Sequence, residues 1–308
     1  YTQCLYMPSC CSTPAGATKY SNRTFTTTTT IFNTGSGAAF GGTITVNTGV
    51  TLQIINTKVQ MDPNTKFVIN GTGKLTIVNS YLYGCNAMWD GIYPLGTNTV
   101  IIRESRIEDA QRVLIDSVGG AVITFTNNYV NKNYQGLVFK AVKTNTSSVN
   151  VNGNLFTCSS MPTPTVQPWG VPAALKPNLT NAPTFGGYSS VNLMAPYNTL
   201  KSFCGIYSAG AAHTGKANSA ITIGAATNGN ENVFDKMQYG AYSYVSKMEF
   251  QNNVFQNIKN SIAPSIGGIN SGIVVLGPFF GGGASRMDIG GSIAKKNTFS
   301  NNDYGVYS

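Results

Sequence analysis

Short runs of alternating apolar and polar residues recur along most of the chain. LTIVNSYL from Leu75, VIIRESRI from Val100, ITFTNNYV from Ile123 and VNVNGNLF from Val149 follow one pattern. An alternating strand passes an Asn- or Ser-rich corner and adds one buried apolar residue. A second element follows each run, in which a polar or aromatic residue and a glycine precede an apolar pair. It reads WDGIY at Trp89 to Tyr93, QRVLI at Gln111 to Ile115, YQGLVF ending at Phe139 and CGIY at Cys204 to Tyr207. In the second of these, Arg112 stands where the others have glycine. Three further copies begin at Ile221, Met248 and Met287, with partners YGAY at Tyr239 to Tyr242, SGIVVL at Ser271 to Leu276 and YGVY at Tyr304 to Tyr307.

The early copies recur with a period of roughly 25 residues, the length of one coil of a solenoid. Alternation of period two predicts strands with one face inward. Stacked coils place equivalent apolar residues in columns about 4.8 Å apart. The corner residues Asn128, Asn154 and Asn253 occupy equivalent places, suit tight bends and are expected to stack as a ladder. The recurrent Gly91, Gly136, Gly205, Gly240, Gly272 and Gly305 mark a bend or a close backbone approach. Leucine-rich repeats share the period, but their regular leucines and helical half are missing. The pattern predicts an all-β solenoid.

Only 10% of the residues are charged, so Asn, Thr, Ser and Gly carry the polarity. That composition excludes a coiled coil or helical bundle, and the β-branched and aromatic content argues against disorder. No apolar run approaches the ~20 residues of a membrane span. The net charge is +9, from 20 Lys and Arg against 11 Asp and Glu. The basic residues are scattered rather than clustered, which argues against nucleic acid and fits an acidic glycan or an anionic cell surface as partner. Six cysteines, an even number, suit an oxidising compartment. A chain that opens on Tyr1 reads as a processed, exported protein or a fragment, placed outside the cell or at its surface.

The repeat resembles the right-handed parallel β-helix superfamily of pectate-lyase-like proteins, from about Thr43 onward. CNAMWDGI at Cys85 to Ile92 and SRIEDAQ at Ser105 to Gln111 look like surface β-helix proteins of bacteria that use type IX secretion. The resemblance implies a right-handed coil. It also implies that Asp116-Ser117-Val118 is similar to a short O-glycosylation motif of that group, with Ser117 as acceptor.

Residues 1–42 lie outside the repeat and are expected to cap the first coil. A disulfide among Cys4, Cys10 and Cys11 would pin them, with Cys85 as a candidate for the remaining partner. Residues 43–308 would form the β-helix. Residues 159–203 hold seven of the 13 prolines, plus Trp169, and interrupt one rung. A Cys158–Cys204 bridge would close this insertion, and Trp169 is a candidate glycan contact. The rung at Tyr304, Gly305, Val306 and Tyr307 presents an edge on which another subunit could stack end to end.

Enzymes that cleave polysaccharides on this architecture need clustered carboxylates. The candidates are Asp90, Glu108, Asp109 and Asp116, with Arg112 as the basic partner. Asp90 would stack one rung below Asp109 or Asp116 to make a carboxylate row. The stretch Arg103 to Asp109 reads first as an exposed ion-pair patch. A single histidine, His213, and cysteines without CxxC spacing predict no metal site, and no motif calls for a cofactor. Sequons occur at Asn22, Asn70, Asn145 and Asn178. The expected function is a non-enzymatic extracellular structural protein, a surface-fibre subunit or adhesin module. The alternatives are a β-helical polysaccharide lyase or hydrolase and a non-catalytic glycan-binding module.

Overall fold

The computed structural model describes residues 12–32, 36–85, 87–140, 148–158, 204–209, 221–225, 229–244, 246–259, 270–276, 286–289 and 296–308. Every element among them is a strand, numbered β1 to β29 in chain order. The strands form three parallel sheets whose neighbours are three apart in sequence order. Sheet A runs β1-β4-β7 and onward to β28, sheet B runs β2-β5-β8 and onward to β29, and sheet C runs from β3 to β27. One coil is therefore A, then B, then C, and the protein is a right-handed parallel β-helix.

The pairing begins upstream of the expected boundary. β1 (Thr18–Ser21), β2 (Thr24–Phe25), β3 (Thr29–Phe32) and β4 (Ala38–Gly41) already lie in the three sheets. Residues 18–41 thus form rungs, although they lie within the expected cap segment. Their strands are rich in Thr and small residues, so the apolar rhythm is faint there.

Inside the coil, sheet A contributes the column Val59, Leu82, Ile107, Val130, Phe156, Phe234, Phe255 and Phe299. The last four rings stack nearly parallel, with centroids 5.0, 4.7 and 5.0 Å apart. Space for them comes from sheet B. A Cβ on Gly205 would stand 2.7 Å from the Phe234 ring, and one on Gly272 2.8 Å from the Phe299 ring. The recurrent glycine and the phenylalanine that follows it are one packing unit.

The corner from sheet C to sheet A is tight. Asn56, Asn79, Glu104, Asn127 and Asn252 take positive φ there, between 44° and 58°. Short polar side chains tolerate this left-handed region better than most. The residue after each of them faces inward and builds the ladder. The Asn128 N–H donates to Asn154 Oδ1 at 2.9 Å, and the Asn154 N–H donates to Asn232 Oδ1 at 3.1 Å. The Asn253 N–H donates to Asn297 Oδ1 at 2.9 Å. Each amide also donates to a carbonyl, as Asn128 does to Ile102 and Asn154 does to Phe125. Thr57, Ser80 and Ser105 carry the same column toward the N-terminal end, where the Thr57 hydroxyl donates to the Ile31 carbonyl and the Ser80 and Ser105 hydroxyls accept from the N–H of the rung before. A buried peptide N–H left without an acceptor costs about 1–3 kcal/mol, so the column completes the coil's hydrogen bonding.

Candidate functional site

The outer face of sheet B carries a cluster of ionisable groups at Asp90, Tyr93 and Arg112. Asp90 precedes β11 (Gly91–Leu95), and Arg112 opens β14 (Arg112–Asp116) one coil further on. The Arg112 N–H donates to the Asp90 carbonyl at 3.0 Å, which sets the two side by side. The Tyr93 hydroxyl donates to Asp90 Oδ1 at 2.5 Å, and Arg112 Nε donates to Gln135 Oε1 at 3.3 Å. Burial, then the Asp90 carboxylate, push the Tyr93 phenol far above its ordinary value, and Arg112 offsets part of this. All three side chains are half-buried. The set is one carboxylate, one guanidinium and a phenol held neutral. It can orient a hydroxylated or anionic group, but it lacks the second carboxylate that glycoside hydrolysis uses.

The remaining candidates are built into the scaffold. Glu108 sits on the outer face of sheet A with Arg106, and each is only 3% exposed. Arg106 donates to Glu108 Oε1 at 2.7 Å, Asn131 Nδ2 donates to the same oxygen at 2.8 Å, and the Tyr81 hydroxyl donates to Oε2 at 2.6 Å. The Arg106 guanidinium lies between the rings of Tyr81 and Tyr129. Burial alone would lower its pKa, but Glu108 and the two tyrosines raise it. The expected exposed patch is therefore, at this pair, a buried ion pair. Asp109 takes positive φ at the A-to-B corner, and its Oδ2 accepts from the Gly84 N–H. Asp116 is buried at the end of β14, where its Oδ1 caps the Gly119 N–H at 2.7 Å.

The expected carboxylate row does not form. Asp90 lies beside Arg112, and Trp89 pairs with Ala110, its N–H donating to the carbonyl of Asp109. Asp116 pairs with Phe139 on the next rung. The structure brings Asp90 and Arg112 together and leaves Glu108, Asp109 and Asp116 apart. Among the described residues, no group of three His, Cys, Asp or Glu side chains is placed to hold a metal ion.

Sequence reasoning placed Arg106 beside Glu108 but missed the partners Tyr81, Asn131, Tyr93 and Gln135, which reach their charged groups from the neighbouring coil or, for Tyr93, from three residues on. It also missed Asp235, on the outer face of sheet A. Burial raises the Asp235 carboxyl above its ordinary value, against the pull of Asn257, Lys236, Gln256 and Thr157. The coil register was the one signal that could have found them.

Cys158 ends the strand run of β19 (Leu155–Thr157) in sheet A, and Cys204 opens β20 (Cys204–Ala209) in sheet B. Both are buried thiols, and the expected bridge between them is not formed. Burial pushes the Cys204 thiol well up. Cys85, the candidate for the remaining disulfide partner, is half-buried and disulfide-bonded. Cys4, Cys10, Cys11, Trp169, Asn145 and Asn178 lie outside the described residues. Trp89 belongs to the core, where its indole N–H donates to the Glu108 carbonyl at 2.8 Å. Asn22 is exposed, but its Oδ1 accepts from the Thr43 N–H. Asn70 is half-buried and Ser117 is exposed.

β28 (Thr298–Ser300) and β29 (Tyr304–Tyr307) end the strand orders of sheets A and B, so each is paired on one side. Val306 pairs with Ile273 in the inward column of sheet B, yet it is 44% exposed, and Tyr304 beside it is 47% exposed. No helix among the described residues is long and apolar enough to cross a membrane. No family model, no curated protein and no solved structure matches this chain.

Proposed function

We propose that the protein is a non-enzymatic extracellular structural module, a subunit of a surface fibre or adhesin that associates end to end. The observation that carries this reading is the stack itself, three parallel sheets in which each strand pairs with its counterpart one coil away. A parallel edge can take up a further strand, and a heterologous contact between copies propagates as a filament. The acids support the same reading. Glu108, Asp109 and Asp116 serve hydrogen bonds within the scaffold, and Asp90 is held by Tyr93. A low charge content suits a molecule whose coils stack face to face without repulsion.

The test is sedimentation of the 308-residue chain over a wide concentration range, beside Val306→Lys. Concentration-dependent assembly that Val306→Lys abolishes is the expected result. A monomer at every concentration in both proteins would remove the fibre reading.

A further inference from the structure

The outer face of sheet B changes character along the coil. Lys66, Asp90 and Arg112 stand on its early side, at the start of β8 (Lys66–Asn70), just before β11 and at the start of β14. The late strands β20, β23 (Tyr239–Tyr244), β26 (Ser271–Leu276) and β29 carry no charged residue. They hold six of the chain's 16 tyrosines instead.

One outward column of this face runs Val138, Tyr207, Tyr242 and Val274, paired rung to rung. The Tyr207 and Tyr242 rings lie nearly parallel, with centroids 5.4 Å apart and planes 11° apart. Both side chains are half-buried, so part of each meets solvent. Val138 and Val274, on the flanking rungs, are buried and aliphatic, so within the column the two tyrosines have each other as ring neighbours. Three other tyrosine pairs lack one of these properties. Tyr81 and Tyr83 are 5.1 Å apart and tilted by 32°, but Tyr81 is buried and its hydroxyl donates to Glu108. Tyr239 stands 5.6 Å from Tyr242 at 59°, and Tyr304 stands 6.0 Å from Tyr307 at 69°. The interior stack of Phe156, Phe234, Phe255 and Phe299 has the same near-parallel geometry without hydroxyls. The exterior stack is made of phenols, which one-electron oxidants attack.

We infer that Tyr207 and Tyr242 form a cross-linking site, joined by a carbon–carbon bond when a one-electron oxidant of the peroxidase type acts on the protein. Each phenol gives one electron to the oxidant and its proton to water, leaving two phenoxyl radicals face to face. The bond forms between one ring carbon beside each hydroxyl-bearing carbon. The hydrogens on those two carbons then move to the oxygens, which restores both phenols. The pair loses two hydrogens in all, and hydrogen peroxide, the terminal oxidant, becomes two waters. Burial raises both phenols above their ordinary value, with Cys204 adding to this at Tyr207 and the neighbouring tyrosines at Tyr242. They are therefore neutral at neutral pH, and the proton leaves with the electron. The product ties two rungs together and restricts the unfolded chain as a disulfide does. It would do so beside Cys158 and Cys204, which are thiols. This inference rests on the proposed extracellular role only for the compartment that supplies the oxidant. It does not require assembly, so its failure leaves the filament reading untouched.

The test is exposure of the dilute 308-residue chain to a haem peroxidase and hydrogen peroxide, then isolation of the monomer, proteolysis and mass spectrometry. Tyr207→Phe and Tyr239→Phe are treated in parallel, after circular dichroism melts verify that they fold. The expected result is a peptide pair joining Tyr207 to Tyr242 in the monomer, lighter by two hydrogens than the separate peptides. Dityrosine fluorescence of the monomer should be lost in Tyr207→Phe and kept in Tyr239→Phe. The peptide map of the wild type decides the pairing by itself if a variant unfolds. Tyr242 joined to Tyr239, cross-links found only between copies, or no cross-link in the monomer would each overturn the site.

Discussion

The early and late rungs build one cross-section from two sets of side chains. In sheet A the inward column is aliphatic at Val59, Leu82, Ile107 and Val130, then aromatic at Phe156, Phe234, Phe255 and Phe299. Sheet B changes with it. Val113 stands between Arg112 and Leu114 where the next rung places Gly136, so the Cβ disappears at the coil that introduces the ring. The corner column changes over the same stretch, from Thr57, Ser80 and Ser105 to Asn128, Asn154, Asn232 and Asn253. A hydroxyl links a neighbouring N–H to a carbonyl. An amide does this and also reaches the next amide, as Asn154 Nδ2 does to Asn232 Oδ1 at 2.9 Å. The difference shows that the conserved quantity along a solenoid is the filled volume and the closed hydrogen-bond chain, not the residue type.

The largest way to break the comparison is Phe234→Ala. It removes one ring from the stack over Gly205 and should cost about 3–5 kcal/mol. Urea denaturation measures this. A loss near that of a surface substitution would mean the late rungs do not depend on the stack.

The ladder gives the next effect. Asn154→Ala leaves the buried Asn128 N–H without its acceptor and the Phe125 carbonyl without its donor, for about 2–4 kcal/mol. Ser80→Ala, at the equivalent corner of an early rung, strands the Thr57 N–H but breaks no amide-to-amide bond, and should cost less, about 1–3 kcal/mol. Equal losses at the two sites would deny that the amide column couples more rungs than the hydroxyl column.

The smallest effect is a pH dependence. Burial raises the Asp235 carboxyl in the folded protein, so the fold binds that proton more tightly than the unfolded chain does. Its stabilisation is complete below the unfolded value of about 4 and is lost as pH rises through the folded value. The melting temperature of the wild type should therefore decline between acid and neutral pH more than that of Asp235→Asn. Parallel curves would remove Asp235 as the cause.

The repeat was legible because alternation, corner asparagines and the glycine recur in fixed order. The ladder could be read at Asn128, Asn154 and Asn253. Its extension to Thr57, Ser80 and Ser105 could not, because those residues do the same work with different atoms. The first coil escaped notice because Thr18–Ser21 and Thr29–Phe32 carry too few apolar residues to show a rhythm. The site residues suffered from register. Tyr81 serves Glu108 and Gln135 serves Arg112 across one coil, and only the stacked sheets bring them together. Cys158 and Cys204 bracket an insertion, which suggested a bridge, but Cys158 follows a strand of sheet A, Cys204 opens one of sheet B, and both remain thiols.

The most direct measurement of the functional account is negative-stain electron microscopy of the protein as it leaves its native source. The account predicts fibres with an axial repeat of one subunit, and Val306→Lys should yield only short rods. Isolated rods from the wild type at high concentration would contradict it.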